Sequence, residues 1–398
     1  MDKNNLLVLS IADPDYLIKY KRRDIINQDL DGFFEKVYYV FLFEQSHQKN
    51  IIIDKTYEAL ILSNKRYAWF EVGKFRFINL LVTYFFNIFY LARYVKRNKI
   101  SIILSHDPLF RGLIAYFISK LTGVPYMVEV WSNYKQIHWN EGRTILHIFH
   151  SVKLEIWLTN FILKHAKAVI ADRNNYWYDN VIPHAVKDRY FRYHFSLEEA
   201  HYKPLGERIN YKKDYNATNK KVVMYLGRLV SEKRAEDLVP FANELFNNSE
   251  IKDVEMWIVG DGPLKKRLIN EIKEYGLSDK VRFIEGQPTS KVADFLYTAD
   301  VVVAPHAGWV IPESQLAETP IIVYDFDWHR EGVADGKYGI LVPYRDTKAM
   351  AVAAKDVLLY PEKYKSMVKQ AREWILQNNT IEQEMKDKLQ IYQTVLGD

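Results

Sequence analysis

Short apolar runs rich in β-branched residues recur along the second half of the chain. Each is followed by a stretch in which apolar side chains return every three or four positions. The runs cover 222–226, 254–259, 281–284, 301–304, 321–324 and 340–342, and the helical patterns between them cover 232–246, 264–275, 291–298, 313–318 and 347–359. Strand, helix, strand at this spacing predicts βαβ units and a parallel sheet flanked by helices. Several of the runs are apolar at every position, as strands buried on both faces should be.

The first half carries the same alternation less regularly. Strands are predicted at 6–11, 37–43, 100–105, 126–130 and 168–171, and helices at 77–97, 109–121 and 145–165. The tail shows helical periodicity over 362–376 and 381–396. This predicts an α/β chain of two tandem, doubly wound, Rossmann-like domains. The first spans 1–200, the second 201–375, and a helix in 376–398 packs back on the first. The join lies in 183–220, which is polar and without periodicity. Open parallel sheets bind ligands at the carboxyl ends of their strands. Two of them facing across a cleft suit an enzyme that joins two different molecules.

Composition narrows the picture. The chain has 398 residues, 48% hydrophobic and 26% charged, which is ordinary globular usage. It holds no cysteine, which excludes disulfides, thiolate metal sites and a Cys nucleophile. No apolar run reaches the length of a spanning helix. The opening MDKNNLLVLSIADPD is too short in its apolar part for a signal peptide, so a cytoplasmic location is expected. Aromatic residues reach 15%, and the net charge of +5 is uneven: residues 51–100 carry nine basic and three acidic side chains. A basic, aromatic first half suits an anionic partner. The segment 75–97, FRFINLLVTYFFNIFYLARYVKR, reads either as a core helix or as a face that dips into an anionic membrane with Arg93, Lys96, Arg97 and Lys99 on the headgroups. No nucleic-acid motif accompanies these cations.

Candidate chemistry sits at the predicted strand ends. The run 222–226 leads into Gly227-Arg228-Leu229-Val230-Ser231-Glu232-Lys233. Gly227 permits close approach of a ligand to the backbone. Arg228 and Lys233 can converge on one anion, the first as a fork and the second as a point charge. A diphosphate fits such a pair, and cations at a helix start otherwise oppose its dipole. The run 301–304 leads into Pro305-His306-Ala307-Gly308-Trp309, with Glu313 opening the next helix. A glycine-containing loop at a helix start offers amides to a phosphate. Glu313 serves either the helix dipole or vicinal sugar hydroxyls. Gly286 and Gln287 follow 281–284, in a loop that suits a nucleobase or is simply a turn. In the first half, His106 and Asp107 end the run 100–105. Asp107 is either an acceptor-side group or the turn-former of an Asp-Pro pair.

Four segments in order resemble the C-terminal domain of GT-B glycosyltransferases of the GT4 type (glycosyl transferases group 1). They are YLGRLVSEKRAEDL (225–238), WIVGDGPLKKRL (257–268), VRFIEGQ with DFLYTADVVVAP (281–305), and PESQLAETPIIVYD with EGVADGKYGILVP (312–343). The first half resembles the family through 100–131 and 181–191. The resemblance implies a GT-B fold and a nucleotide-diphosphate sugar as donor, with no metal and no cofactor. It implies retention of anomeric configuration. It places Arg228 and Lys233 on the diphosphate leaving group, Glu313 on the ribose, and Gly286 and Gln287 near the base. Gly227, His306, Gly308 and Trp309 complete the donor set. His106 joins the catalytic set, and Asp13, Asp107, Glu129 and Trp131 the acceptor side. The family carries a further glutamate eight residues before Glu313, where this chain has Pro305. It often carries a histidine where this chain has Trp131. Its glycine-rich first loop is replaced by Ala12-Asp13-Pro14.

The sequence therefore leads to a hexosyl- or N-acetylhexosaminyltransferase using a UDP-sugar, with a GDP-sugar second. The expected acceptor is a surface glycan such as capsule or lipopolysaccharide, or its lipid carrier, at the inner face of the membrane. The missing glutamate and Trp131 motivate an alternative of a different class, a silent relative that binds a nucleotide-sugar or supports a partner enzyme. A sugar-nucleotide epimerase shares the architecture and is the third reading.

Overall fold

The computed structural model describes residues 4–10, 27–44, 49–63, 75–131, 151–172, 184–247 and 251–397. The chain divides into two compact units, Met1–Phe195 with Ile381–Asp398, and Ser196–Thr380. Both are parallel α/β sandwiches.

The first unit holds an eight-stranded sheet in the order β3-β4-β2-β1-β5-β6-β7-β8. Its strands are β1 (Asn4–Ser10), β2 (Phe34–Glu44), β3 (Lys49–Ile52), β4 (Tyr57–Ser63), β5 (Ile102–Ser105), β6 (Tyr126–Glu129), β7 (Ala168–Ala171) and β8 (Tyr190–Arg192). All pairings are parallel except β3 with β4. Helices α1 (Phe75–Arg97), α2 (Phe110–Thr122) and α3 (Val152–His165) form the crossovers after β4, β5 and β6. Residues 145–150 of the predicted third helix lie outside the described residues. Strands β3, β4 and β8 escaped the sequence pattern. The outer two are short edge strands, and β3 is largely exposed, so neither shows the unbroken apolar run of a buried strand.

The second unit holds a six-stranded, all-parallel sheet in the order β11-β10-β9-β12-β13-β14. The strands are β9 (Lys221–Leu226), β10 (Val254–Val259), β11 (Val281–Ile284), β12 (Val301–Ala304), β13 (Ile321–Tyr324) and β14 (Ile340–Val342). Their helices are α4 (Leu238–Phe246), α5 (Lys265–Glu274), α6 (Thr289–Thr298), α7 (Val310–Leu316), α8 (Thr347–Leu359) and α9 (Lys365–Asn378). The middle of β9 and all of β12 and β13 are buried, as apolar runs covered on both faces must be.

The last helix, α10 (Ile381–Leu396), belongs to the first unit. Its Ile391, Tyr392 and Val395 join the core built on Leu6, Val8, Phe34 and Tyr39. Phe34 meets Tyr392 edge-on with ring centroids 4.9 Å apart. Deleting α10 therefore removes three buried side chains worth about 2–5 kcal/mol each, against a whole-domain stability of about 5–15 kcal/mol. A chain ending at Thr380 is expected to lose the calorimetric transition of the first unit and keep that of the second. Two unchanged transitions would refute this role.

Candidate active site

In the second sheet the winding direction reverses between β9 and β12, the position where open α/β sheets bind ligands. The turns that leave these two strands meet there. After β9, Gly227 to Val230 lead into a tight 3₁₀ turn, Ser231–Lys233. After β12, residues 305–309 lead into α7. The imidazole of His306 donates from Nδ1 to the Glu232 carbonyl and ties the two turns together. The Lys233 ammonium lies 3.4 Å from where a Cβ on Gly308 would stand. Glycine at 308 leaves that ammonium its place. Arg228, on the same β9 turn, is largely exposed and reaches Glu232, with Nη2 3.2 Å from Oε2.

The helix expected over 232–246 begins later. Arg234 takes a left-handed conformation, φ 54°, between two 3₁₀ turns, and the α-helix starts at Leu238. Asp237 holds the Arg234 guanidinium at 2.8 Å and accepts the Tyr324 hydroxyl at 3.1 Å. Lys233 thus ends a 3₁₀ turn and Arg228 precedes that turn, both away from the start of α4.

The 305–309 turn is held from beneath by His329, which is fully buried. Its Nδ1 donates to the Tyr324 carbonyl at 2.8 Å, and its Nε2 accepts the Ala307 amide at 3.0 Å. That bond network assigns the neutral tautomer. Burial, then His306, lowers the His329 pKa to about 3. His306 is lowered to about 4 by burial and then by Lys233, and its Nε2 lies 4.0 Å from Asp327 Oδ2. The Ala307 amide, one of those expected to face a phosphate, is therefore already committed. The helix expected from Glu313 starts at Val310, directly after the exposed Trp309. Glu313, in its first turn, is mostly buried, with Oε1 3.5 Å from Nε2 of His201. Burial, then Arg208, lowers the His201 pKa to about 4.

The neighbouring turns pack backbone on backbone. A side chain on Gly260 would strike the Gly227 carbonyl, and one on Gly262 the backbone of Leu229. Leu229 N–H donates to Asp261 O at 2.9 Å. The Gly286 amide donates to Asp261 Oδ2 at 2.7 Å, and Gln287 Nε2 to its neighbour's carbonyl, Glu285 O, at 2.9 Å. Gly227, Arg228, Lys233, His306 and Gly308 are thus brought to one place, and Gly286 borders it through Asp261, whereas Gln287 turns to its own loop.

In the first unit, direction reverses between β1 and β5. His106 follows β5 and is buried, stacked on the half-exposed Trp131 at 5.0 Å between ring centroids. Its Nε2 lies 3.5 Å from Oε2 of Glu129, the last residue of β6. Neither ring nitrogen makes a hydrogen bond among the described residues. Burial lowers the His106 pKa to about 4, outweighing Glu129. Burial alone would raise the Glu129 carboxyl. Lys388, His106, the Tyr193 hydroxyl at 2.5 Å and Trp131 together hold it below the usual carboxylate range. Lys388 arrives from α10 and is itself buried, 2.7 Å from Glu384 and 4.4 Å above the Tyr193 ring. Asp107 is engaged in the turn. Its Oδ1 accepts the Leu109 and Arg111 amides at 2.8 and 3.3 Å, and its Oδ2 pairs with Arg111 at 3.0 Å. Asp13 lies outside the described residues.

Lys388, Tyr193, His201 and His329 escaped the sequence reading. Lys388 shows there only as an i, i+4 partner of Glu384 on a polar-looking helix, and His329 carries no motif at all.

Residues 207–374 match the family described as Glycosyl transferases group 1. The second unit is a group 1 glycosyl transferase domain. The chain is 28% identical over 170 residues to alpha-D-kanosaminyltransferase of Streptomyces kanamyceticus, covering 42% of this chain and 44% of that protein. It is 32% identical over 142 residues to phosphatidyl-myo-inositol mannosyltransferase of Mycobacterium leprae, covering 33% and 36%. The chain thus spans under half the length of these relatives. Two solved structures share the whole architecture. Sucrose-phosphate synthase from Thermosynechococcus elongatus superposes with TM-score 0.76 at 15% identity over 99% of both chains. Anabaena HepE, solved with UDP and glucose, superposes with TM-score 0.71 at 14% identity over 99% of this chain and 100% of that one. The chain has a GT-B fold.

Two outcomes follow from these electrostatics. Lys388→Met leaves the buried Glu129 carboxylate short of countercharge, so urea unfolding at neutral pH should show a loss of about 3–5 kcal/mol. Adding Glu129→Gln should recover part of it. A single variant as stable as the parent would show that the cluster contributes nothing. The second concerns His106, His201, His306 and His329, all held neutral with pKa values lowered to about 4, 4, 4 and 3. The unfolded chain binds protons at these positions below about pH 6.5, and the folded chain does not. Stability should be flat above that pH and fall as pH drops from about 6.5 toward 4. A urea midpoint unchanged between neutral pH and pH 5 would contradict this.

Proposed function

We propose that this chain is a glycosyltransferase that moves a sugar from a UDP-sugar to a hydroxyl acceptor. The observation that carries the reading is Lys233 poised over Gly308 at the β9–β12 switch point, with Arg228 on the same turn. Transfer breaks the bond from the anomeric carbon to the diphosphate, and the electron pair stays on the leaving phosphate oxygen. The acceptor oxygen bonds to that carbon, and its proton passes to the departing phosphate. The leaving group's growing charge is the main demand on the site. Arg228 and Lys233 supply the countercharge, and no metal is assigned to it. The exposed Arg228–Glu232 pair is a weak one, so a diphosphate displaces Glu232 at little cost. Glu313, beside His201, accepts the vicinal ribose hydroxyls. Pro305 stands where the family carries its first glutamate, and His306 or the Gly308 backbone beside it takes over that contact.

The UDP assignment is supported by HepE, which was solved with UDP and with UDP-glucose. The acceptor is assigned to a surface glycan or its lipid carrier, with retention of configuration and hexosyl or N-acetylhexosaminyl transfer. Glu129 and Trp131 belong to the acceptor side, and His106 beside them to the catalytic set. A second reading, a silent relative that binds the nucleotide-sugar, is favoured by Pro305 at the glutamate position and by His106 lying beneath Trp131.

Calorimetric titration with UDP tests the donor site. Arg228→Ala and Lys233→Ala should each weaken UDP about 10- to 100-fold, the value of a charge-assisted hydrogen bond, and leave UMP affinity unaltered. Undiminished UDP affinity in both variants would remove the assignment. Turnover of a UDP-sugar with glycan acceptors separates the enzyme from the silent relative.

A further inference from the structure

Helices α1, α2 and α3 lie side by side on one face of the first sheet, α1 packed on α2 and α2 on α3. Each joins parallel strands and runs against them, so the three C-terminal ends gather at one edge. The side of this layer turned away from the sheet is strongly aromatic. Phe85, Phe89 and Tyr90 of α1, Phe117 and Leu121 of α2, and Trp157 of α3 are all exposed, Phe85 and Trp157 each by 59%. The Phe85 and Phe89 rings touch at 4.7 Å between centroids, and Trp157 stacks on Phe161 at 5.5 Å.

The charge on this layer has one sign. Arg93, Lys96 and Arg97 of α1, Lys120 of α2 and Lys164 of α3 are exposed at or near the helix ends, and no described carboxylate pairs with them. Helices α1 and α2 contain no acidic residue, and the one in α3, Glu155, is fully buried. Cations in a last helical turn complement the helix dipole, which accounts for Lys120 or Lys164 taken singly. It accounts neither for six exposed large apolar side chains nor for the lack of an exposed acid on three adjacent helices. A face meeting only water carries both signs and few aromatics. No described helix is long and apolar enough to cross a bilayer, so the layer would lie on a membrane and not within it.

We propose that the α1–α2–α3 layer docks the first unit on an anionic phospholipid surface. The aromatic side chains sit at the headgroup level, where amphipathic rings are favoured, and the cations lie against lipid phosphates. Docking needs none of the residues assigned to the donor site.

Flotation of the full chain with lipid vesicles tests this. Binding is expected to phosphatidylcholine vesicles containing about 30 mol % phosphatidylglycerol, to weaken as salt rises, and to be absent on pure phosphatidylcholine. The triple variant Arg93→Glu, Lys96→Glu, Arg97→Glu should lower the partition coefficient by at least about 100-fold, taking about tenfold or less per cation. Phe85→Ser with Trp157→Ser should lower it by at least about tenfold. Unaltered UDP affinity and urea midpoints in both variants tie these losses to the surface and not to unfolding. Equal partition into neutral and anionic vesicles, or none into either, would overturn the proposal. So would self-association in sedimentation velocity that Phe85→Ser abolishes in a chain that ignores vesicles, since the face would then join two copies.

Discussion

A parallel sheet covered by helices on both faces has no water along its strands. An ion placed there costs several kcal/mol unless its partner and hydrogen bonds come with it. Polar chemistry in such a layer is therefore driven to the strand ends, and to the point where the winding direction reverses and loops diverge. In the second unit that point holds the turns after β9 and β12, which His306 stitches through the Glu232 carbonyl. The neighbouring turns are pressed so closely that Gly260 and Gly262 must lack side chains where they meet the backbone of Gly227 and Leu229. His329, buried and neutral, fixes the floor of this arrangement by bonding β13 to the Ala307 amide.

The two units handle charge at the strand ends differently. In the second, Arg228 faces water and its pair with Glu232 is loose enough to exchange for a stronger anion. Asp237 instead binds Arg234 and Tyr324 in a largely buried knot that shapes the chain. In the first, Glu129 is buried at the end of β6, and its charge is sustained by a lysine from the far end of the chain. A cluster this enclosed orders His106 and Trp131 and resists rearrangement. The C-terminal helix is thus part of the first unit's electrostatics as well as of its core.

Much of the architecture was legible because the second unit's strands are apolar at nearly every position, a pattern few other structures produce. Arg228 and Lys233 stood out as candidates because cations after a strand-ending glycine have little other purpose, and Glu313 because it opens a helix after a glycine-containing loop. The break at Arg234 was not. SEKRAEDL reads as a helix, and its left-handed residue depends on Asp237, which is in turn held by Tyr324 of a strand distant in the chain. The edge strands β3 and β8 were missed because an edge need not be apolar. Asp107 was ambiguous until its carboxylate was seen to accept two amides of the following turn.

The order of residues alone settled the class of fold, the number of sheets and which strand ends bear cations, since these depend on periodicity and on local residue type. Folding decided the rest. It brought Lys388 to Glu129, set His201 beside Glu313, committed the Ala307 amide to His329, and gathered three helices' aromatic faces into one layer. Each of these joins residues far apart in sequence, and burial, which makes a charge costly or an imidazole neutral, is a property of the neighbours that the folded chain supplies.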